Sequence, residues 1–342
     1  MKKANNSRPT MREVAALSGT SLKTVSRVFN GVSTVDEDLI RRVKAAARKL
    51  NYTPNMTAGS LRRKNGQTKT IGLLLEDISN PFSSALHRVF EDYARERGFI
   101  VLAGSLDEDS DRERELVSLF ISRRVDGLII APAGSDQGYL KPEVQAGTKF
   151  GFIDRPPMNF KADSVVSTNR EGSRQAVSHL VSFGHTRIAY LGDQPTIYTA
   201  AERYQGYLDG LKQAKIPLDK KLVFQGFSSP EEVRATVIAL FEGSNSPTAI
   251  YASQNLVTLA VIQALRDLKR ERKIALVGFD HIPAAELLSP AITLVTQDIA
   301  AMGQRSAQLL FSRIEGYEGP VVQEIIPTSL VVRGSGEIRP SR

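Results

Sequence analysis

Between positions 21 and 27 the chain reads Ser21-Leu22-Lys23-Thr24-Val25-Ser26-Arg27, placing three hydroxyls and two cations within two helical turns. Lys23 and Arg27 can donate to the guanine acceptors of a major groove, and Leu22 can meet a thymine methyl. The hydroxyls of Ser21, Thr24 and Ser26 can hold phosphates. A second set of polar or aromatic residues recurs downstream, just after short apolar runs. It comprises Glu76-Asp77, Asn80-Pro81-Phe82, Asp154-Arg155, Gln254-Asn255 and Asp280. Catalytic chemistry is not signalled. His87, His179, His185 and His281 are scattered and there is no cysteine, so no metal-ligand spacing arises. No Gly-x-Ser-x-Gly elbow or phosphate-cradling Gly-x-x-x-x-Gly-Lys loop occurs. No catalytic residue, metal or cofactor is expected.

Charge separates the two sets. The 342 residues carry a net +8, but residues 1–65 hold 14 Lys and Arg against 4 Asp and Glu, and the remainder 31 against 33. A basic module beside a near-neutral body fits binding to a phosphate backbone. The 41% apolar content suffices for a sizeable core. There is no run of 18 apolar residues and no apolar stretch after the basic N-terminus. Neither a membrane span nor a secretory signal is expected, and the absence of cysteine suits the cytoplasm.

Three short helices must position the first set. Thr10-Met11-Arg12-Glu13 forms a capping box, and the helix it opens turns Val14, Ala15 and Leu17 inward. Gly19 breaks that helix. Ser21 caps a second, Leu22 to Phe29, with Val25 and Val28 inward. A third starts at Asp36-Glu37-Asp38 and runs to Leu50, and Pro54 closes it. Helix, tight turn, helix is the arrangement that sets a second helix into the major groove; a three-helix bundle with a polar face has the same pattern.

The run from Thr10 to Asn30, with Leu50-Asn51-Tyr52-Thr53-Pro54-Asn55, resembles the N-terminal signature of the lactose-repressor (LacI/GalR) family. The resemblance implies that Leu22, Lys23 and Arg27 read bases. It implies that Thr10, Ser21, Thr24, Ser26, Asn30 and Asn55 hold the DNA backbone. Asn55 to Arg63 reads as a further helix, too short to be stable alone. In the family, two such segments lie in the minor groove. By that likeness Leu61 wedges into the central base step, with Ala58 beside it. The chain departs from the family at Gly59, where arginine is common.

From residue 71 apolar runs alternate with amphipathic helices in two successive sets, which implies two parallel, Rossmann-like α/β lobes. Ligands of such sheets bind beyond the strand C-termini, where the second set of polar residues falls. No sequence repeat links the lobes. Asn80-Pro81-Phe82, Asp154-Arg155, Gly184-His185-Thr186-Arg187-Ile188, Arg203-Tyr204-Gln205-Gly206-Tyr207 and Val277-Gly278-Phe279-Asp280 are similar to landmarks of the same family. The likeness implies a helix-turn-helix headpiece joined to a two-lobed, periplasmic-binding-protein-like effector domain. Boundaries are expected at 1–53 for the headpiece, 54–70 for the hinge and 71–338 for the body. The N-lobe would take about 71–168 and 299–325, and the C-lobe about 169–297 and 327–338.

Family effectors are sugars, with purines in one branch. The resemblance implies an effector site of Glu76, Phe82, Asp154, Arg203, Gln254, Asp280 and Gln297. Phe82 would stack on the ligand while Asp154, Arg203 and Asp280 bond its hydroxyls, as carboxylates accept and guanidinium donates. Gln254-Asn255 stands where Asn-Asp is common, which puts that contact in question. Plainer roles stay open: Asp280 as a helix cap, Arg203 as a surface arginine, His185 as a turn residue. The partners implied are double-stranded palindromic operator DNA, a small sugar-like effector and a second copy of the chain. The competing class, an exported nutrient-binding protein, leaves the basic module without a role. The C-terminal tail has no heptads, so a coiled-coil tetramer is not expected.

Overall fold

The computed structural model describes residues 8–29, 32–53, 67–243 and 245–341. The chain divides into two compact units, Met1–Thr68 and Lys69–Arg342.

The first unit holds α1 (Met11–Ser18), α2 (Leu22–Phe29) and α3 (Glu37–Lys49). The capping box is present: the Thr10 N–H donates to Glu13 Oε2 at 2.6 Å, and the Glu13 N–H to Thr10 Oγ1 at 3.4 Å. Gly19 ends α1 at φ +61°, and a Cβ there would lie 2.8 Å from Nη2 of Arg42. Backbone and space both call for glycine. Ser21 Oγ accepts from the Thr24 N–H at 3.0 Å, and Asp36 Oδ1 from the Asp38 N–H at 2.8 Å, capping α2 and α3.

Two expectations are corrected here. Leu17 is not inward but 45% exposed, and Ser18 takes the buried place. The cause is Arg42, whose guanidinium donates to the Ser18 carbonyl at 2.7 and 3.1 Å and draws that end of α1 onto α3. Nor does α3 wait for Pro54. Asn51 turns left-handed at φ +49°, and the Tyr52 N–H reaches back to the Ala47 carbonyl at 2.8 Å. The core of the unit is Val14, Ala15, Val25, Val28, Val43, Ala46 and Ala47.

The second unit opens with β1 (Thr70–Leu75), α4 (Pro81–Glu96), β2 (Ile100–Ser105), α5 (Ser110–Ser122), β3 (Gly127–Ile130), α6 (Lys141–Gln145), β4 (Lys149–Ile153) and β5 (Asp163–Ser167). The chain then passes to a second lobe with α7 (Asn169–Ser182), β6 (Ile188–Gly192), α8 (Tyr198–Gln213), β7 (Val223–Gln225), α9 (Pro230–Leu240), β8 (Ala249–Ala252), α10 (Asn255–Asp267), β9 (Ala275–Phe279) and β10 (Thr293–Gln297). It returns to the first lobe for α11 (Ile299–Ile314) and β11 (Gln323–Ile326), then crosses once more to β12 (Thr328–Val331).

The two sheets have the orders β11-β5-β4-β3-β1-β2 and β12-β10-β9-β8-β6-β7. They correspond strand for strand, a repeat of fold without a repeat of sequence. Pairing is parallel except between β10 and β12. Burial on both faces explains the unbroken apolar runs. Leu73 and Leu75 of β1 join one core with Phe90 of α4 and Phe311 of α11, while Leu74 joins Phe120 of α5 and Phe152 on the opposite face.

The crossings are bonded to one another. Thr168 Oγ1 and Thr328 Oγ1 lie 2.9 Å apart, and the Thr328 N–H donates to Thr168 Oγ1 at 2.8 Å. Among the described residues, no helix is long and apolar enough to cross a membrane.

Candidate functional site

One face of α2 carries the polar and cationic side chains. Val25 and Val28 are buried beneath it, while Ser21, Leu22, Lys23 and Arg27 are exposed and Thr24 and Ser26 half-buried. Arg27 is held ready, its Nη2 donating to Thr34 Oγ1 at 2.6 Å. Ser21 Oγ and Thr24 Oγ1 share a hydrogen bond of 2.9 Å. The Thr10 hydroxyl is engaged in its cap, donating to Glu13 Oε2 at 2.8 Å. Asn30, Asn55, Ala58, Leu61 and Gly59 lie outside the described residues.

In the second unit, the strand C-termini of both lobes carry the polar residues. Asp280 follows β9. Its Oδ2 accepts from Arg203 Nη1 at 3.1 Å and its Oδ1 from Gln297 Nε2 at 2.6 Å. Arg203 projects from α8 and is 5% exposed, so it is no surface arginine. It also donates to Asn169 Oδ1 at 2.7 Å and to the Ser253 carbonyl at 2.9 Å, and lies 3.9 Å from the ring centre of Phe279. Ser167 Oγ donates to Gln297 Oε1, tying the end of β5 in one lobe to β10 in the other. Asp280 is thus engaged by side chains rather than by a helix terminus.

The first lobe presents Asp154 after β4 and Glu76 after β1. Asp154 is 8% exposed, and its Oδ1 has no hydrogen-bond partner. Burial raises its carboxyl above the usual range, against the lowering pull of Arg155 and Arg203. The Glu76 carboxyl is pushed up to about 8, first by burial and then by Glu108, with Asp193 and Asp154 adding to the shift and Arg155 opposing it. Arg155 is committed to Glu108, donating at 2.6 and 2.5 Å, and to the Pro132 carbonyl at 3.1 Å. The Ser167–Gln297 bond and the Asn80–Asn255 pair bring the two sets of strand ends face to face.

The lobes also touch through an amide pair. Asn255 Nδ2 donates to Asn80 Oδ1 at 2.8 Å, and Asn80 Nδ2 to Asn255 Oδ1 at 3.4 Å. Asn80 caps α4 just ahead of Phe82, which is half-buried against the first-lobe core. Gln254 caps α10, its Oε1 accepting from the Val257 N–H at 3.0 Å, so that oxygen is spent within the chain. His185 is fully buried between Thr248 Oγ1 (2.9 Å) and the Ile338 carbonyl (2.7 Å), a structural role.

Sequence reasoning missed Asn169, Ser253 and Asp193. Each follows a strand or crossing that ends in small or polar residues, and none sits in a motif. It also left Tyr198 aside, 41% exposed at the start of α8, its hydroxyl pushed up by partial burial and by the charges of Glu202 and Asp154.

Comparison with known proteins places this geometry. The profile of the lacI family of bacterial regulatory proteins matches residues 10–55, and that of a periplasmic binding protein-like domain matches 177–336. The ribose operon repressor of Halalkalibacterium halodurans is 32% identical over 326 residues, covering 95% of this chain and 96% of its own. The lac repressor dimer bound to operator and the anti-inducer ONPF superposes with a TM-score of 0.83 at 25% identity, over 96% of this chain and 99% of the other. The transcriptional regulator CelR in complex with cellobiose matches with a TM-score of 0.69 at 29% identity, over 96% and 100%. With a helix-turn-helix at its start, paired α/β lobes behind it and relatives aligned along nearly its whole length, the chain belongs to the lacI family of bacterial regulatory proteins.

Proposed function

We propose that this protein is a cytoplasmic, homodimeric repressor of carbohydrate-utilisation genes, controlled by a sugar-like effector bound between its lobes. The observation that carries the reading is α2, whose apolar side is buried while Leu22, Lys23 and Arg27 stand exposed on the opposite side. Lys23 and Arg27 read guanine edges, Leu22 meets a thymine methyl, and Ser21, Thr24 and Ser26 hold phosphates. Asn30 and Asn55 extend the backbone contacts, and Leu61, beside Ala58, wedges the minor groove. A dimer places one headpiece on each half of a palindrome.

In the cleft, the Arg203 and Asp280 pair offers a donor and an acceptor to neighbouring hydroxyls, and Asp154 offers its unpartnered oxygen. Phe82 supplies an apolar surface and Gln297 orients Asp280. A relative named as the ribose operon repressor and a structural neighbour in complex with cellobiose support a sugar. Binding changes the angle between the lobes and so the DNA-competent state, through a coupling of about 1–3 kcal/mol.

Two measurements test this. Removing residues 1–65 should abolish operator binding and leave effector binding intact. In the full chain, Arg27→Ala should relax discrimination at one base position by about 1–3 kcal/mol. Equal weakening on every sequence would refute the base-reading role.

A further inference from the structure

We propose that the effector carries a positively charged nitrogen, as an amino sugar does, and that Glu76 and Asp154 hold it with Asp193 facing them from the second lobe. This rests on the sugar reading above and narrows it.

The argument begins with what is already paired. Arg155 is bound to Glu108 through two hydrogen bonds, and Arg203 to Asp280. Those pairings neutralise both guanidinium groups at the strand ends, although Arg155 Nε has no hydrogen-bond partner of its own. Glu76, Asp154 and Asp193 remain. Asp154 Oδ2 is 3.5 Å from Arg155 Nε, but its Oδ1 is buried and unpartnered. Asp193 has one oxygen on the N–H of its neighbour Gln194, at 2.8 Å. A buried acceptor without a donor is unfavourable, so a ligand that supplies one gains affinity.

A neutral hydroxyl can serve Asp154 Oδ1 but brings no charge to strand ends that carry three carboxyl groups beyond the two arginine pairs. An ammonium brings three donors and the opposing charge. The exposed ring of Tyr198, at the start of α8, adds an aromatic surface of the kind that attracts cations. The raised titration of Glu76, caused by burial, Glu108, Asp193 and Asp154 against Arg155, fits the same picture. A carboxyl pushed up to about 8 favours the protonated form near neutral pH when no cation is beside it. An arriving ammonium favours the carboxylate, and the proton leaves to solvent.

The experiment is calorimetric titration of the full chain with matched probes: glucosamine, glucose and N-acetylglucosamine, the corresponding galactose set, and 1,4-diaminobutane. Repeating each in buffers of different ionisation enthalpy counts released protons. An amino sugar should bind at least about tenfold more tightly than both neutral counterparts, the factor of one charge-assisted hydrogen bond. It should release a proton near neutral pH, and Glu76→Gln should remove both effects. Asp193→Asn provides a second test should Glu76→Gln fail to fold; it should weaken the amino sugar by a larger factor than the neutral ones, and an equal loss for both overturns the charged nitrogen. A neutral sugar binding as tightly, without proton release, overturns the charged nitrogen and keeps the sugar. The diamine binding with proton release while no sugar binds keeps the cation and overturns the sugar. If no amine binds, the proposal is wrong.

Discussion

Asp154 and Asp280 stand at the same point of the two lobes and are bonded in opposite ways. Each follows the corresponding strand, β4 or β9, and each is left-handed, at φ +67° and +69°. Each N–H donates to the neighbouring strand, at the Val165 carbonyl (2.9 Å) and the Val295 carbonyl (2.8 Å). Yet both oxygens of Asp280 accept hydrogen bonds, while Oδ1 of Asp154 has none. A non-glycine residue in this region is uncommon, and such conformations gather at functional sites.

The two aspartates should therefore respond differently to the same change. Asp280→Asn leaves the buried Arg203 charge without its carboxylate and should cost about 3–5 kcal/mol in urea unfolding. Asp154→Asn removes a carboxylate whose charge is disfavoured there, and its stability should be unchanged or higher. Both should lose effector response and still bind operator under conditions where they are folded. Equal losses of stability would show that the asymmetry of bonding carries no energetic weight.

Stability should depend on pH through Glu76. Its carboxyl titrates near 8 in the folded chain against a reference of 4.5. Between those values the folded state keeps the proton and the unfolded state does not, so stability falls as pH rises through the window. Below the window both states are protonated and the contribution vanishes. Glu76→Gln should match the parent at about pH 5 and exceed it at about pH 9, by up to a few kcal/mol at roughly 1.4 per unit. Urea melts at the two pH values check the sign.

The Asn80 and Asn255 amides should behave as one element. Removing either leaves a buried partner unsatisfied, at about 1–3 kcal/mol. In a double-mutant cycle, Asn80→Ala with Asn255→Ala should cost less than the sum of the single changes. Strict additivity would mean that the pair does not join the lobes energetically.

Gly19→Ala should act on the first unit alone. The left-handed backbone there costs a side chain about 1 kcal/mol, and the tip of Arg42 must move aside. Operator affinity should fall while effector affinity, measured by calorimetry, stays at the parent value.

Much of this architecture is legible in the sequence, for a physical reason. Strands buried on both faces, such as β1 with Leu73 and Leu74 in opposite cores, must be apolar throughout. The headpiece caps, Thr10 with Glu13 and Ser21 with Thr24, are local and so visible in short motifs. Four strands are less visible. Asp163 in β5 is bound by Arg313 at 2.8 Å and by the Val322 N–H at 2.8 Å, partners some 150 positions away. Thr293 in β10 accepts from the Arg333 N–H at 3.1 Å. The strands β11 and β12 lie at sheet edges, where burial is incomplete. In the cleft, Arg203 is recognisable only through family likeness. Asn169 and Asp193 gain their meaning from residues that the chain brings near only after folding.

The three crossings between the lobes have a mechanical consequence. A body tied by one strand can swing and twist; bodies tied by three adjacent strands retain essentially one axis of rotation. Here β11 and β12 are separated by Pro327 alone, and Thr168 is stitched to Thr328 beside it. Movement of one lobe against the other is then described by a single angle. Any ligand that narrows that angle sends the same message, whichever side chains it grips. The cleft is free to change its chemical preference without rebuilding the transmission.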